Sequence, residues 1–250
     1  MNTVQKTIHQ MHTTHGNFNQ REISDHDLDA ILKASVRAAT ASNRQSYSII
    51  VISEREKMHQ LCGYRGSRAL LFCVDTNRLN AQAATLGYNS IGSGTTAFIT
   101  GCLDTVLAAQ TAIICAQSLR IDTLPTNGIH RGDMRRVYDL LNLPEKYCFP
   151  MLMVVLGYAD RHEATINGRL DGLGVIHYNQ YQTLRQTDVT QIIQSYDDPQ
   201  NHLCMTEDWN VKGYAHYLDW FHQVWMAGFK PPEPGVPTLH TMLASSGFLD

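Results

Sequence analysis

A chain of 250 residues that is 43% hydrophobic and 17% charged has an ordinary globular composition, with enough apolar residues for a sizeable core. Its 20 Lys and Arg against 23 Asp and Glu give a net charge of −3, and without a basic run it is not expected to bind nucleic acid. The first thirty residues lack the apolar core of a signal peptide, and residues 103–116 are too short and polar to span a bilayer, so we expect a cytoplasmic protein without membrane partners.

The first part of the chain predicts helices and strands in alternation. Ser24 with Asp27 three residues later is typical of a helix start, and apolar residues follow at helical spacing. Residues 47–53 and 69–75 are rich in β-branched and other apolar residues, which favours buried strands. Between them, residues 54–63 predict a short helix that ends at a glycine.

The alternation continues, and it indicates an α/β or α+β sandwich of one sheet with flanking helices. Residues 103–119 are apolar on most faces, so we expect this helix to be buried on all sides. In chain order, the predictions are a helix (78–87), a loop (88–100), a helix (103–119), a loop (124–132), a helix (133–141) and a strand (151–159).

An aromatic helix is predicted near the end of the chain, over residues 210–228, and the prolines of residues 230–237 end it. Its apolar face must meet a partner surface, which is either the chain's own core or a second subunit. The residues on that face are Tyr214, Tyr217, Leu218, Phe221 and Trp225.

Metal and nucleotide motifs are weak in this sequence. No two of the six cysteines lie within four residues of each other, which argues against a zinc or iron–sulfur site, and we expect all six to be reduced. His9, His12 and His15 recur every three residues, but no acidic cluster accompanies them, so we expect no metal site. The glycine-rich residues 90–96 do not join a strand directly to a helix, so a surface loop is favoured over a nucleotide loop.

One short segment is more polar than a turn requires. Residues 40–46 (TASNRQS), which we name the polar segment, stand between a predicted helix and a predicted strand. Asn and Gln side chains offer both donors and acceptors, as the edge of a flavin or a nucleobase requires. From these residues alone, a polar loop that caps the following strand is favoured over a binding site.

Four segments in order resemble the nitroreductase family of FMN oxidoreductases, over about residues 8–181. Residues 39–47 (ATASNRQSY) are similar to the family's P-S-x-x-N-x-Q-P-W, and residues 12–18 (HTTHGNF) stand where it has R-R-S-x-R/K-x-F. Residues 119–128 (LRIDTLPTNG) resemble L-G-L-D-S-V-P-I-E-G. Residues 157–179 resemble the family's closing strand and loop, with Arg169 at its basic position.

The resemblance implies an α+β fold, a nitroreductase-like α/β/α sandwich with a central mixed sheet. It also implies a homodimer with FMN at the subunit interface, and NADH or NADPH as reductant. Hydride would pass through flavin N5 to a small-molecule acceptor such as a nitroaromatic or a quinone. On this basis residues 1–185 form the FMN-binding domain, and residues 186–250 form an extension that packs on the core or on the partner subunit.

The resemblance also assigns the site residues, with no metal among their ligands. Arg169 would fork onto the phosphate, and Asn43 and Gln45 would meet the polar edge or ribityl chain of the flavin. The backbone N–H groups of Asn127 and Gly128 would be the catalytic groups, directed at flavin N5 and O4, where negative charge develops on reduction. The predicted cofactor-binding residues are His12, Thr13, Thr14, Thr40, Ser42, Asn43, Gln45, Pro125, Thr126, Asn127, Gly128 and Arg169.

Three basic positions of the family pattern are lost, at His12, Gly16 and Asn167. Three explanations stay open. A protonated His12 substitutes in part, other basic residues such as Arg44, Arg131 or a group of the partner subunit fill the gap, or FMN binds weakly. The alternative function is therefore a flavin-binding protein with a specialised turnover, dehalogenase-like or flavin-destructase-like, or with none. A histidine-rich metal-binding protein is the weaker alternative of another class.

Overall fold

The computed structural model describes residues 1–89, 92–160, 166–228 and 234–249. The chain divides into two compact units. The first comprises Met1–His162 with Pro232–Asp250, and the second comprises Glu163–Pro231. The boundary predicted at residue 185 lies inside the second unit, and the end of the predicted extension belongs to the first.

The first unit is built on a four-stranded sheet of order β1-β2-β4-β3, counted over the described residues. The α+β class is confirmed, but all three described strand pairings are antiparallel rather than mixed. The last three residues of β3 fall in the loop predicted for residues 124–132. The strand is short and contains Pro125, which only an edge strand tolerates, so its sequence resembles a loop. The strands are β1 (Tyr47–Ile52), β2 (Arg68–Asp75), β3 (Asp122–Thr126) and β4 (Cys148–Gly157).

Helices flank this sheet on both faces. The Ser24 side chain accepts from the Asp27 N–H at the start of α2, as its sequence predicts, and Gly63 ends α3 at a φ of 84°. The helices of the first unit are α1 (Thr3–His9), α2 (Asp25–Ser35), α3 (Arg55–Cys62), α4 (Asn77–Thr85), α5 (Gly94–Ser118), α6 (Arg135–Leu141) and α9 (Leu239–Ser245).

Side chains of β2 alternate between two cores, as the two-residue period of a strand requires. Leu70 and Phe72 pack with apolar residues of α2 and α5 on one face of the sheet. Leu71 and Cys73 pack with residues of α3, α6 and α9 on the other face. The predicted α/β/α sandwich is therefore confirmed. The fully buried Phe248, beyond α9, belongs to the second of these cores, so the chain end is part of the fold.

α5 differs from its prediction in length and in burial. It begins at Gly94, inside the segment predicted to be a loop, although residues 90 and 91 of that segment lie outside the described residues. The prediction of burial on all sides is wrong, because Leu103 is 62% exposed and Leu107 is 45% exposed. One side of the helix packs on the sheet and α2, and the other carries apolar side chains on the surface.

Among the described residues, α5 is the one helix that is long and apolar enough to cross a membrane by length and composition. The apolar run predicted from the sequence, residues 103–116, was therefore shorter than the helix itself, which has 25 residues. In its most apolar 18-residue window, 39% of the residues are buried inside the protein, and core helices of soluble proteins pass the same test. A cytoplasmic location stays a prediction.

The second unit contains α7 (Gln186–Asp197) and the aromatic segment, where a continuous helix was predicted. Only α8 (Tyr217–Trp220) is α-helical there, followed by a π-helical turn, Phe221–Trp225, and a 3₁₀ turn, Met226–Gly228. Gly213 has a left-handed φ of 86°, and His216, the residue before α8, has an extended backbone, so the helix begins only at Tyr217. Tyr217 is buried within this unit against Tyr196, and residues 229–233 of the predicted proline stop lie outside the described residues.

A charged cluster ties the segment before α2 to the sheet and to α3. The Glu22 carboxylate accepts from the Ser67 hydroxyl at 2.7 Å, from Arg55 at 2.7 Å and from Arg68 at 2.5 Å. The Ser67 hydroxyl also accepts from the Ile23 N–H. The Ser67 hydroxyl, followed by the Arg55 guanidinium, lowers the pKa of Glu22 from 4.5 to about 2.

Glu22→Gln tests this cluster. The folded protein holds Glu22 at the lower pKa, so the stabilisation is present above about pH 4.5 and is lost as the pH falls towards 2. Because the side chain is 53% exposed, we expect the variant to lose only about 1 kcal/mol of unfolding free energy near neutral pH. Urea unfolding at several pH values should show the curves of wild type and variant converging in acid.

The control is Glu145→Gln, at an exposed carboxylate that forms no ion pair within the described part of the chain. Its unfolding curves should follow the wild type at every pH. Equal unfolding free energies for wild type and Glu22→Gln near neutral pH would show that the cluster does not stabilise the fold.

Candidate functional site

The polar segment is folded around one carboxylate, that of Asp104 on α5. Asp104 Oδ2 accepts from the Thr40 hydroxyl at 2.8 Å and from the Ser46 N–H at 3.0 Å, and Oδ1 accepts from the Ala41 N–H at 2.8 Å. The Thr40 hydroxyl in turn accepts from the Gln45 N–H at 2.8 Å. Asp104 is only 1% exposed, so these bonds satisfy a carboxylate that has left water.

The segment has an unusual backbone. Ser42, Asn43 and Gln45 have φ values of 52°, 55° and 52°, in the left-handed region that non-glycine residues seldom occupy. The side chains of Ser42 and Asn43 are exposed, whereas Gln45 is half-buried. The Arg78 guanidinium donates to the carbonyl oxygens of Arg44 and Gln45, so the far side of the segment is also held. The backbone that carries the two exposed side chains is thus held in a strained turn.

An open depression of about 480 Å³ borders the polar segment. Gln45 and Arg78 give it a polar rim, and apolar side chains of α2 and β1 line the rest. Tyr47 also lines it, and the buried Tyr47 hydroxyl has no hydrogen-bond partner among the described residues. The depression therefore combines an apolar wall with amide and guanidinium donors.

The predicted phosphate-binding segment lies along β3. His12 Nε2 is 3.5 Å from Asp122 Oδ1, and the Thr14 N–H donates to the Thr123 carbonyl at 3.0 Å. Thr14 is buried, and Thr13 is exposed. A carboxylate therefore stands beside the residue that was expected to supply part of the missing positive charge.

The predicted catalytic N–H groups follow the end of β3, where Pro125 and Thr126 are its last residues. The Gly128 N–H donates to the Thr126 hydroxyl at 3.0 Å, so it has a partner within the chain. A Cβ on Gly128 would stand 2.9 Å from the Cys62 carbonyl oxygen, so packing against the end of α3 already explains this glycine. Asn127 is exposed.

Arg169 belongs to the second unit, where its side chain is exposed. Its guanidinium donates to the carbonyl oxygens of Asn167 at 3.1 Å and Gly168 at 2.7 Å. Residues 161–165 of the same family-like segment lie outside the described residues. One terminal nitrogen makes both contacts, and the other two guanidinium nitrogens form no hydrogen bond or ion pair with another described residue.

Within one chain, the predicted residues of the first unit fall into two groups. The polar segment leads into β1 at one edge of the sheet, and residues 12–14 and 125–128 lie along β3 at the opposite edge. Two strands stand between these edges, and three strand intervals of about 4.8 Å put them roughly 14 Å apart. One copy of the first unit does not gather these groups at a single edge.

Sequence reasoning missed Asp104 and Arg78, the two charged residues that hold the polar segment. In the sequence, Asp104 is one of the polar residues that interrupt the apolar run of residues 103–116. An acidic residue on an otherwise apolar helix was the available signal, because a buried carboxylate requires hydrogen-bond donors. Nothing in the local sequence marks Arg78.

The sequence predicts no metal site and six reduced cysteines. The described part of the chain holds no group of three or more His, Cys, Asp or Glu side chains that could bind a metal ion. All six cysteines are free, as predicted. Burial raises the pKa of the Cys102 thiol to about 11, so this cysteine is unreactive near neutral pH.

Comparison with known proteins identifies the fold and the family. The sequence profile of the nitroreductase family matches residues 10–158, more than half of the chain. A Bacillus subtilis protein named FMN reductase (NAD(P)H) is 30% identical over 209 residues, which cover 79% of this chain and 81% of that protein. The NADPH-flavin oxidoreductase of Vibrio harveyi is 29% identical over 204 residues, which cover 78% and 80%.

A solved structure, that of B. megaterium NfrA2, is similar over the whole chain. The TM-score is 0.82 at 25% sequence identity, and the match covers 100% of this chain and 99% of that one. The chain therefore belongs to the nitroreductase family, and it is an oxidoreductase.

Proposed function

We propose that this chain transfers hydride from NADH or NADPH, through FMN, to a small acceptor such as a nitroaromatic or a quinone. Membership of the nitroreductase family makes it an oxidoreductase with FMN as cofactor and NAD(P)H as reductant. The observation that carries the proposal is the polar segment, which is folded around Asp104 with Ser42 and Asn43 on the surface.

The donors of the polar segment fit a flavin. The exposed Ser42 hydroxyl and Asn43 amide offer donors and acceptors together, which suits the alternating edge of the isoalloxazine or the hydroxyls of the ribityl chain. Gln45 adds a second amide beside a depression with apolar walls. The left-handed turn fixes the positions of these groups before the ligand arrives, which lowers the entropy that binding costs.

The residues proposed to bind the FMN phosphate carry less positive charge than the family pattern does. Residues 12–18 contain no Lys or Arg, and His12 already stands beside Asp122. Thr13 and Thr14 offer hydroxyl groups, and the Arg169 guanidinium is the cation proposed for two phosphate oxygens. We therefore expect the chain to bind FMN weakly.

When bound, FMN would supply the chemistry of hydride transfer between NAD(P)H and the acceptor. The chain contributes binding and electrostatics. The Asn127 N–H is proposed to stabilise negative charge at the flavin edge, with Gly128 beside it. Since the Thr126 hydroxyl accepts from the Gly128 N–H, the Gly128 contribution requires that bond to open or to be shared.

Flavin titration of the purified protein tests the proposed function. We expect FMN to bind with a measurable dissociation constant and the visible absorbance of the bound flavin to bleach when NADH or NADPH is added without oxygen. An acceptor such as a quinone should then restore the absorbance. Binding without bleaching would favour the alternative of a flavin-binding protein without turnover, and no binding at all would refute the proposal.

A homodimer is the second part of the proposal. The exposed apolar residues of α5 recur at i, i+4, i+7 and i+8, which places them on one stripe of the helix. A second copy packed on this stripe would cover apolar surface that a monomer leaves in water. It could also supply a polar segment to the β3 edge of its partner, and so join the two groups of predicted residues. The stripe consists of Ile99, Leu103, Val106 and Leu107.

The double variant Leu103→Asp with Leu107→Asp tests the dimer. Two carboxylates on the stripe would have to be buried unpaired in the interface, so we expect the variant to sediment at half the mass of the wild type. FMN affinity should fall together with dimer formation. Leu86→Asp is the control, because Leu86 is 70% exposed and lies just beyond α4. A monomeric wild type at micromolar concentration would contradict the proposed dimer.

A further inference from the structure

Asp104 is a buried carboxylate without a counter-charge. It is 1% exposed on the sheet-facing side of α5, and no Lys, Arg or His forms an ion pair with it within the described ranges. Burying an ion costs several kcal/mol unless hydrogen bonds compensate. The hydrogen bonds that compensate for the burial of Asp104 come from the polar segment, through Thr40, Ala41 and Ser46.

These contacts hold a backbone that is unfavourable by itself. Each left-handed non-glycine residue costs about 1–2 kcal/mol, and the segment contains three of them. Two backbone N–H groups and one hydroxyl converge on the two carboxylate oxygens, and the Thr40 hydroxyl extends the network to the Gln45 N–H. Both ends of the segment are therefore tied to α5, while Ser42 and Asn43 between them extend outward.

A glycine one turn earlier brings α5 close enough for this contact. A Cβ on Gly101 would stand 2.4 Å from Val74 Cγ1 of β2 and 3.3 Å from the Ser46 carbonyl oxygen. A larger residue fits there only if the Val74 side chain is displaced or the helix moves away from the sheet and from the segment. Gly101 and Asp104 lie three residues apart, on the same face of α5.

We propose that Asp104 is a positioning residue, which holds the polar segment in the conformation that presents Ser42 and Asn43 to FMN. We expect Asp104 itself not to contact the cofactor, because it is 1% exposed and its hydrogen bonds are to the segment. The identity of the ligand, FMN, rests on the proposed function. The hydrogen bonds by which Asp104 holds the segment do not depend on it.

Asp104→Asn is the direct test. The amide has nearly the shape of the carboxylate, but whichever way it is oriented, its NH₂ group faces at least one donor of the segment. We expect the FMN dissociation constant to rise at least tenfold, which corresponds to about 1.4 kcal/mol. Hydrogen exchange at the Ala41, Gln45 and Ser46 amides of the flavin-free protein should accelerate by a similar factor.

Thr105→Val is the matched control. Thr105 is the next residue of α5 and equally buried, and its hydroxyl donates to the Gly101 carbonyl at 2.6 Å rather than to the polar segment. This variant should lower the melting temperature and leave the FMN dissociation constant within twofold of the wild type. The comparison separates positioning of the segment from general stability of the helix.

A second series keeps the test valid if Asp104→Asn does not fold. Thr40→Val is close in shape and removes the donor to Asp104 together with the acceptor for the Gln45 N–H, so FMN binding should weaken. Thr40→Ser keeps both bonds and should restore binding. Gly101→Ala keeps every polar group but pushes α5 away, and it should also weaken FMN binding.

The outcomes separate two kinds of failure. If the wild type binds no FMN, the proposed function fails, and the exchange rates of the segment amides still decide whether Asp104 holds them. If the wild type binds FMN while Asp104→Asn and Thr40→Val bind it within twofold, with unchanged amide exchange, the positioning role of Asp104 is overturned.

Discussion

The buried carboxylate of Asp104 is the interaction on which the described site depends. A charge removed from water needs donors, and the nearest are the hydroxyl and amides of residues 40–46. The same bonds stabilise a turn that contains three left-handed non-glycine residues. The hydrogen bonds that stabilise the buried charge thereby also hold the backbone that carries the exposed polar side chains. This is the preorganisation that a ligand site requires.

α5 links this site to the rest of the molecule through its two unlike faces. One face carries Gly101 and Asp104 against β2 and the polar segment, and the other carries an exposed apolar stripe that begins at Ile99. Covering the stripe with a second copy would fix α5 from both sides. Assembly and order in the polar segment would then depend on the same helix.

Much of the fold could be predicted from the sequence, because hydrophobic periodicity and capping are local signals. β1, β2 and β4, the Ser24 cap and the Gly63 stop all follow from residues close together in the chain. β3 escaped prediction because a five-residue edge strand with a proline resembles a loop. The start of α5 escaped it because packing overrides the low helix propensity of its Gly and Thr residues.

The candidate site was less predictable, since its residues interact over long distances in sequence. The bond from Thr40 to Asp104 spans 64 residues, and no local pattern connects them. The family resemblance supplied the polar segment as a ligand site but not the reason for its shape. The resemblance also placed Gly128 close to a flavin. Packing against Cys62 explains why this position is a glycine without any ligand.

The charge around residues 12–18 bears on the proposed binding of the FMN phosphate. Asp122 lies beside His12, where the family pattern has an arginine, and a carboxylate near a phosphate dianion is repulsive unless a cation stands between them. The polar segment faces no such conflict, because the Asp104 carboxylate that it surrounds is buried and its exposed residues, Ser42 and Asn43, are neutral. Binding energy should therefore come mainly from the isoalloxazine and ribityl groups, with the phosphate depending on Arg169 or on cations of a partner subunit.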